Sequence, residues 1–232
     1  YLPEKTKAAF FQYFKLALIE FAGCGTAWND PDSDELQELW VKVMPNEMKD
    51  QYSQFGGAIG EMATESLKGW RNSIGEAAIT IVDQILDGKN EDERKTFIKE
   101  QIKSKDGMRP YYYPENNAEL PEGVFQSRIV SETFATHFKI IKNIPDDSRS
   151  EAFPEAALVL SIVAINRAFF LSKNGIPPGD FSSDQKAKDL GRQTHQLFAK
   201  TPDGEDRISA QTWSKIIAAA QAHVKPQTSS IN

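Results

Sequence analysis

The chain has 232 residues, 40% of them hydrophobic, and a net charge of −6 at pH 7. This length fits one large domain, because a single core serves chains of up to roughly 250 residues. The acidic balance argues against a nonspecific nucleic-acid binder, which needs clustered Lys and Arg. The one cysteine, Cys24, excludes a scaffold held by internal disulfides and favours the cytoplasm or the nucleus.

The first predicted element is an amphipathic helix over residues 5–22. Gly23 and Gly25 are predicted to end it, because glycine readily takes the left-handed conformation used just past a helix end. The predicted inner face consists of apolar side chains at three- and four-residue spacings. These side chains are Phe10, Phe11, Phe14, Ala17, Leu18 and Phe21.

An acidic turn over residues 29–34 leads into a second helix, predicted to span residues 34–43. Asp30, Asp32 and Asp34 alternate as in a calcium-binding loop, but such a loop needs a glycine at its sixth position and a Glu where Val41 stands. Short acidic side chains also accept hydrogen bonds from the free amides that open a helix. The turn is therefore interpreted as a helix cap.

The strongest periodic pattern predicts a long central helix over residues 56–86, ended by Asp87-Gly88. Gly60, Gly69 and Gly75 interrupt this pattern, and each lowers helix propensity by about 1 kcal/mol relative to alanine. Close packing of a neighbouring helix, or a kink, is the expected reason for these glycines.

A shorter helix over residues 91–103, capped by Asn90, precedes a long irregular connection. The connection contains Tyr111, Tyr112 and Tyr113, whose rings combine apolar area with a polar tip and are enriched at binding surfaces. Two interpretations stay open. Either the rings contact a partner, or the connection packs back onto the bundle and buries them.

Two further helices are predicted over residues 127–142 and about 154–173. The second is apolar almost all round, which places it in the middle of the domain. Asn166 and Arg167 interrupt it, and a guanidinium on a central helix needs a polar partner or access to water. We predict an ion pair there in preference to a ligand site. The candidate partners are Glu76, Asp83 and Glu132.

The last predicted helices begin at Ser182 or Ser183 and at Ser209, and residues 225–232 form a predicted disordered tail. No segment alternates apolar and polar residues for long enough to form a strand, and no apolar run reaches the roughly 20 residues of a membrane span. The sequence therefore predicts a single all-α domain over residues 1–224, not a membrane protein. The domain is a bundle of about seven to eight helices around the central helix and the apolar helix.

No pattern typical of a catalytic or metal site occurs, and no cofactor is predicted. Cys24 is interpreted as a structural thiol at a helix end, and His137 as a hydrogen-bonded core residue. The alternative is a polar pocket between helices in which Arg167, Arg71 and His137, or the tyrosines, converge.

Several segments are similar to a helical domain of unknown function that is widespread in mushroom-forming (basidiomycete) fungi. The resemblance covers about residues 46–220. Members of that family usually have an aromatic residue and a glycine near the end of the apolar helix. Here Gly175 matches the glycine, and the aromatic residue is matched less clearly. It implies a fungal intracellular helical domain and carries no site residue, since that family has no assigned catalytic residues. The similar segments are 70–74 (WRNSI), 111–113 (YYY), 123–127 (GVFQS), 153–159 (FPEAALV) and 181–184 (FSSD).

Three functions are consistent with these patterns. The first is a noncatalytic intracellular interaction module with a protein partner, for which an acidic surface suits a basic protein. It predicts an exposed apolar or aromatic patch. The second is a small-molecule-binding or enzymatic pocket around Arg167. The third, which the net charge disfavours, is local nucleic-acid binding through a basic face.

Overall fold

The computed structural model describes residues 2–104, 107–114, 123–145, 149–174, 191–196 and 208–224. Within these ranges the chain is helical and contains no β-strand, which confirms the predicted all-α bundle. Residues 191–195 are helical, but the start of the helix predicted from Ser182 or Ser183 lies outside the described residues, as does the tail 225–232. The other α-helices in chain order are α1 (Glu4–Ala9), α2 (Lys15–Cys24), α3 (Ser33–Val43), α4 (Gln51–Leu86), α5 (Glu91–Gln101), α6 (Arg128–Ile141), α7 (Glu155–Asn174) and α8 (Ala210–Gln221).

A π-helix over Phe10–Phe14 joins α1 to α2 in one helical segment. A π turn holds more residues than an α turn, so it rotates the residues that follow around the helix axis. Leu18 and Ala22 are consequently buried, whereas Phe11 and Phe21 are 47% and 41% exposed. The prediction that Phe11 and Phe21 belong to the inner face was therefore wrong.

The acidic turn before α3 is a helix cap, as predicted. The Asp32 carboxylate accepts the Glu35 backbone N–H (2.9 Å), and the Glu35 carboxylate accepts the Asp32 backbone N–H (2.9 Å). This capping box satisfies amides that would otherwise have no partner at the start of the helix. On the buried side of α3, the Trp40 indole N–H donates to the Met48 carbonyl (3.0 Å) and so fixes α3 to the next segment.

The central helix α4 begins earlier than predicted, at Gln51, and ends as predicted before Gly88, whose φ is +74°. A Cβ added at Gly60 or Gly69 would meet no atom within 4 Å. Close packing of a neighbouring helix therefore does not explain these two glycines, and the other expected reason, a kink, stays a prediction. Their cost to helix propensity has no packing benefit to offset it.

The apolar helix α7 lies at the centre of the bundle, as predicted. Every residue from 156 to 165 is at most 2% exposed, and the most extensive contact among the described helices joins α7 to α4. By length and composition alone, Glu155–Lys173 would be able to span a membrane, but 72% of its most apolar window is buried inside the fold. Such burial is typical of a core helix, which is apolar on all sides because all its sides are covered.

Candidate binding cleft and predicted site residues

Tyr111, Tyr112 and Tyr113 belong to the core. They are 1%, 1% and 5% exposed. The Tyr111 hydroxyl lies 3.3 Å from the Ile162 carbonyl and accepts a hydrogen bond from the Asn166 side-chain amide. Burial raises the pKa of Tyr111 well above its ordinary range. The rings therefore pack onto the bundle, which was one of the two interpretations left open, and they offer no exposed face to a partner.

Arg167 is half-buried on α7 and interacts with other groups of the protein. None of the three carboxylates predicted as its partner forms an ion pair with it, although the structure describes all three. Glu132 instead binds Arg128, with 2.6 Å between Arg128 Nε and Glu132 Oε1. Glu76 and Asp83 are exposed on α4. These three candidates are therefore not confirmed, and the structural ion pair predicted for Arg167 stays a prediction.

His137 lies where α2, α4 and α6 meet, and it is 1% exposed. Its ring centroid is 5.8 Å from that of Trp70. Burial, assisted by the positive charge of Arg149, lowers the pKa of His137 to about 3. The predicted core position is confirmed, but Nδ1 finds no hydrogen-bond partner among the described residues. His137 thus packs as a neutral aromatic ring.

Gly23 serves this packing and does not end the helix. α2 continues through Gly23 to Cys24 and ends at Gly25, so Gly25 ends the helix as predicted. Neither glycine has a positive φ, so the predicted left-handed conformation was wrong. A Cβ on Gly23 would lie 2.5 Å from His137 Cε1, a distance that real contacts do not allow. Only glycine lets α2 approach the buried imidazole this closely.

Cys24 ends α2 with its thiol turned against the segment that precedes α7. The Cys24 Sγ lies 3.4 Å from the Ala152 carbonyl, and the Ser150 backbone N–H donates to the Glu20 carboxylate (3.2 Å). Burial raises the pKa of Cys24 to about 11. Because the thiolate is the nucleophilic form, this site favours the predicted structural role.

Arg71 is 7% exposed, and its guanidinium joins α4 to the acidic turn. Arg71 Nη2 lies 2.6 Å from Asp30 Oδ1. Arg71 Nε is buried without a hydrogen-bond partner in the part of the chain that the structure describes. The pair fixes the turn that follows Asn29. Neither Arg71 nor any of the other five predicted site residues lines the cleft described next.

A cleft of about 550 Å³ opens between the α2–α3 connection and the helical residues 191–195. Trp28 forms part of its wall and has a φ of +67°, a left-handed conformation that is strained for a bulky side chain. A Cβ on Gly191 would lie 2.1 Å from Trp28 Cζ3, so only glycine lets the two walls meet. The lining residues are Thr26, Ala27, Trp28, Asn29, Gly191, Arg192, His195 and Gln196.

Among the residues that the structure describes, the lining of the cleft is rich in hydrogen-bond donors and has no carboxylate. Glu155 lies just outside, with its Oε2 3.7 Å from His195 Nε2, which is longer than a hydrogen bond. No sequence pattern singles out His195 or Trp28 as a site residue. The two walls are about 160 residues apart in the chain, and no local pattern indicates that they meet.

A second surface feature is the outer face of α3, which has a shallow depression of about 540 Å³ lined by Asp34, Gln37, Glu38, Val41 and Lys42. Val41 is 43% exposed. Among the described residues, no basic side chain forms an ion pair with Asp34 or Glu38. Lys42 offsets part of this charge, so the described lining is acidic on balance, with two carboxylates and one ammonium group.

The described residues contain no group of three or more His, Cys, Asp or Glu side chains that could hold a metal ion. Comparisons of the chain with protein-family models, with curated proteins and with solved structures gave no match. The resemblance to a fungal helical domain thus stays a prediction.

Proposed function

We propose that the chain is a noncatalytic interaction module that binds a basic, partly apolar segment of another protein through the outer face of α3. The observation that carries this proposal is the pair of exposed carboxylates Asp34 and Glu38, one helical turn apart, beside the exposed Val41. Two carboxylates against the single ammonium group of Lys42, next to an apolar side chain, favour a partner of opposite charge with an apolar contact of its own.

Exposed aromatic rings on neighbouring elements support this choice. The π-helix and α2 both pack on α3, and together they expose Phe11, Tyr13 and Phe21 by at least 41%. Lys15 Nζ lies 5.6 Å from the centroid of the Phe11 ring. Aromatic ring faces attract cations in this way, so the exposed rings of Tyr13 and Phe21 suit a partner rich in Lys or Arg.

The face is also rigidly held. The capping box fixes the start of α3, and the Tyr52 hydroxyl donates to the Ser33 carbonyl (2.9 Å) from α4. A preorganised surface loses little conformational entropy on binding, so more of the contact energy remains for affinity. The half-buried Cys24 thiol with its raised pKa and the buried His137 support a binding role over a catalytic one.

The same proposal places the protein inside the cell, in the cytoplasm or the nucleus. The single free cysteine supports this location, because it is compatible with a reducing compartment. The similarity to a domain of mushroom-forming fungi supports a fungal origin and suggests which cell extract to use in a search for the partner.

Affinity capture from a fungal cell extract tests the proposal with a matched pair of variants. Asp34→Asn with Glu38→Gln removes both charges from α3, whereas Glu61→Gln with Glu65→Gln removes two exposed charges at the same spacing from α4. We expect partners captured by the wild type to be retained by the α4 variant and depleted several-fold by the α3 variant. Equal capture by both variants would contradict the proposal.

A further inference from the structure

We propose that the cleft between Trp28 and His195 is a binding site for a small organic anion, a molecule with one carboxylate or phosphate group attached to a compact apolar part. This inference is independent of the α3 face. It rests on the size of the cleft, its donors and the conformation of Trp28.

The size of the cleft, about 550 Å³, is within the range of roughly 300–1,000 Å³ typical of small-molecule sites. It receives Thr26 and Asn29 from one wall, and Arg192, His195 and Gln196 from the other. Each of these side chains can donate a hydrogen bond, and Arg192 adds a permanent positive charge. A cleft whose described lining combines several donors with the charge of an arginine favours an anionic group.

Arg192 and His195 lie three residues apart on one helical turn, so their side chains project from the same face. Arg192 already interacts with another group of the protein. A guanidinium has five N–H donors in a planar fork, so an arginine that already contacts a protein group can also bind a carboxylate or phosphate. Arg192 is also exposed, which lets it reach a ligand at the mouth of the cleft.

Trp28 supplies the apolar contact. Its positive φ costs about 1–3 kcal/mol, and such strain persists where the surrounding structure holds it in place. The Asn29 backbone N–H donates to the Thr26 carbonyl (3.1 Å) and closes the turn that carries the ring. Gly191 allows the opposite wall to contact the ring directly. The Trp28 indole and the Ala27 methyl group therefore form an apolar surface against which the apolar part of the ligand can pack.

The test uses three probes of similar size: benzoate, phenyl phosphate and the uncharged benzamide. Trp28 is half-buried, whereas Trp40, Trp70 and Trp213 are at most 2% exposed, so ligand binding in the cleft should change the fluorescence of Trp28 selectively. Protein-observed NMR titration provides a second measure of binding that does not depend on the indole. The two anions distinguish a carboxylate ligand from a phosphate ligand.

We expect saturable binding of at least one anion with a Kd below about 1 mM, and binding of benzamide at least about tenfold weaker. Arg192→Gln should weaken anion binding by about tenfold, and Trp28→Phe should abolish the fluorescence change. Arg94→Gln, the same substitution on α5 outside the cleft, should bind as the wild type does. The paired α3 variant should also bind normally, which separates this inference from the proposed function.

Two results would overturn the inference. One is the absence of saturation by either anion up to about 10 mM. The other is anion binding that Arg192→Gln leaves unchanged in a protein whose circular dichroism matches that of the wild type. Equal affinity for benzamide and benzoate would show an apolar contact without anion selectivity, and would also contradict it.

Discussion

The imidazole of His137 is buried, so its charged form would have no contact with water. The pKa of His137 is about 3 in the folded protein, against an ordinary value of 6.5. The unfolded chain therefore binds this proton more tightly, and protonation favours unfolding. The stability that depends on the neutral ring is complete above pH 6.5 and is lost as the pH falls from 6.5 towards 3.

At pH 5 this loss amounts to about 2 kcal/mol of the free energy of unfolding. Urea unfolding of the wild type and of His137→Asn at pH 7 and pH 5 measures it. Asn cannot ionise, so the variant should be less stable at pH 7 but lose less stability between the two pH values. An identical loss in both proteins would show that another group causes the acid sensitivity.

Gly23 is the steric partner of His137. Gly23→Ala would place a methyl group 2.5 Å from the imidazole, and the core would have to shift to accept it. We expect a decrease of about 1–3 kcal/mol in the free energy of unfolding at pH 7, which is the usual cost of overpacking a core. Urea denaturation gives the value. A neutral or stabilising effect would mean that the contact between α2 and His137 is looser than described.

Cys24 should be a slow nucleophile. With its pKa raised from 9.0 to about 11, the fraction of thiolate at pH 8 falls by about a hundredfold. Alkylation by iodoacetamide at pH 8 should therefore be at least about a hundredfold slower in the native protein than in urea. Similar rates in the two states would show that the thiol is neither buried nor hydrogen-bonded as the structure has it.

At the level of helices, α4 offers the clearest prediction. Gly60 and Gly69 lie inside this helix, and an added methyl group would contact nothing at either position. Gly60→Ala and Gly69→Ala should each raise the free energy of unfolding by about 0.5–1 kcal/mol, because alanine favours the helix. Thermal unfolding of each variant checks the sign. If both destabilise the fold, α4 needs a flexibility that glycine provides.

Local patterns predicted most of the helices because the cause of each helix is local. The Asp32 carboxylate caps α3 by accepting hydrogen bonds from backbone amides only two and three residues away, so a short stretch of sequence contains both the donors and the acceptor. The position of α7 was also predictable from a local pattern, because a helix that is apolar on all sides has to be buried on all sides. The π-helix at Phe10–Phe14 was not predictable, since a spacing of four residues fits an α-helix and a π-helix alike.

At the scale of the whole molecule, prediction from the sequence failed where distant segments meet. Gly23 resembles a helix stop until His137, more than 100 residues away, is seen to fill the space beside it. The tyrosines fit either a binding loop or a core until their burial is known. Trp28 and Gly191 show no pattern at all in the sequence, because their contact depends on the packing of the complete bundle.

The net negative charge of the protein supports the proposed function only if the charges on α3 contribute more to binding than those elsewhere on the surface. A net charge of −6 attracts basic partners in general, but attraction that is spread over the surface would not distinguish α3 from α4. Asp34 and Glu38 are exposed, and screening by salt weakens exposed charge pairs. Affinity for the partner should therefore depend both on salt and on these two residues.

The measurement that tests this account most directly is the Kd of the captured partner at about 0.05 M and 0.5 M salt. We predict that the wild type binds markedly more weakly at the higher salt concentration. Asp34→Asn with Glu38→Gln should bind several-fold more weakly at low salt and should respond less to salt, whereas Glu61→Gln with Glu65→Gln should behave as the wild type does. Equal affinity and equal salt dependence in all three proteins would contradict the assignment of α3 as the binding face.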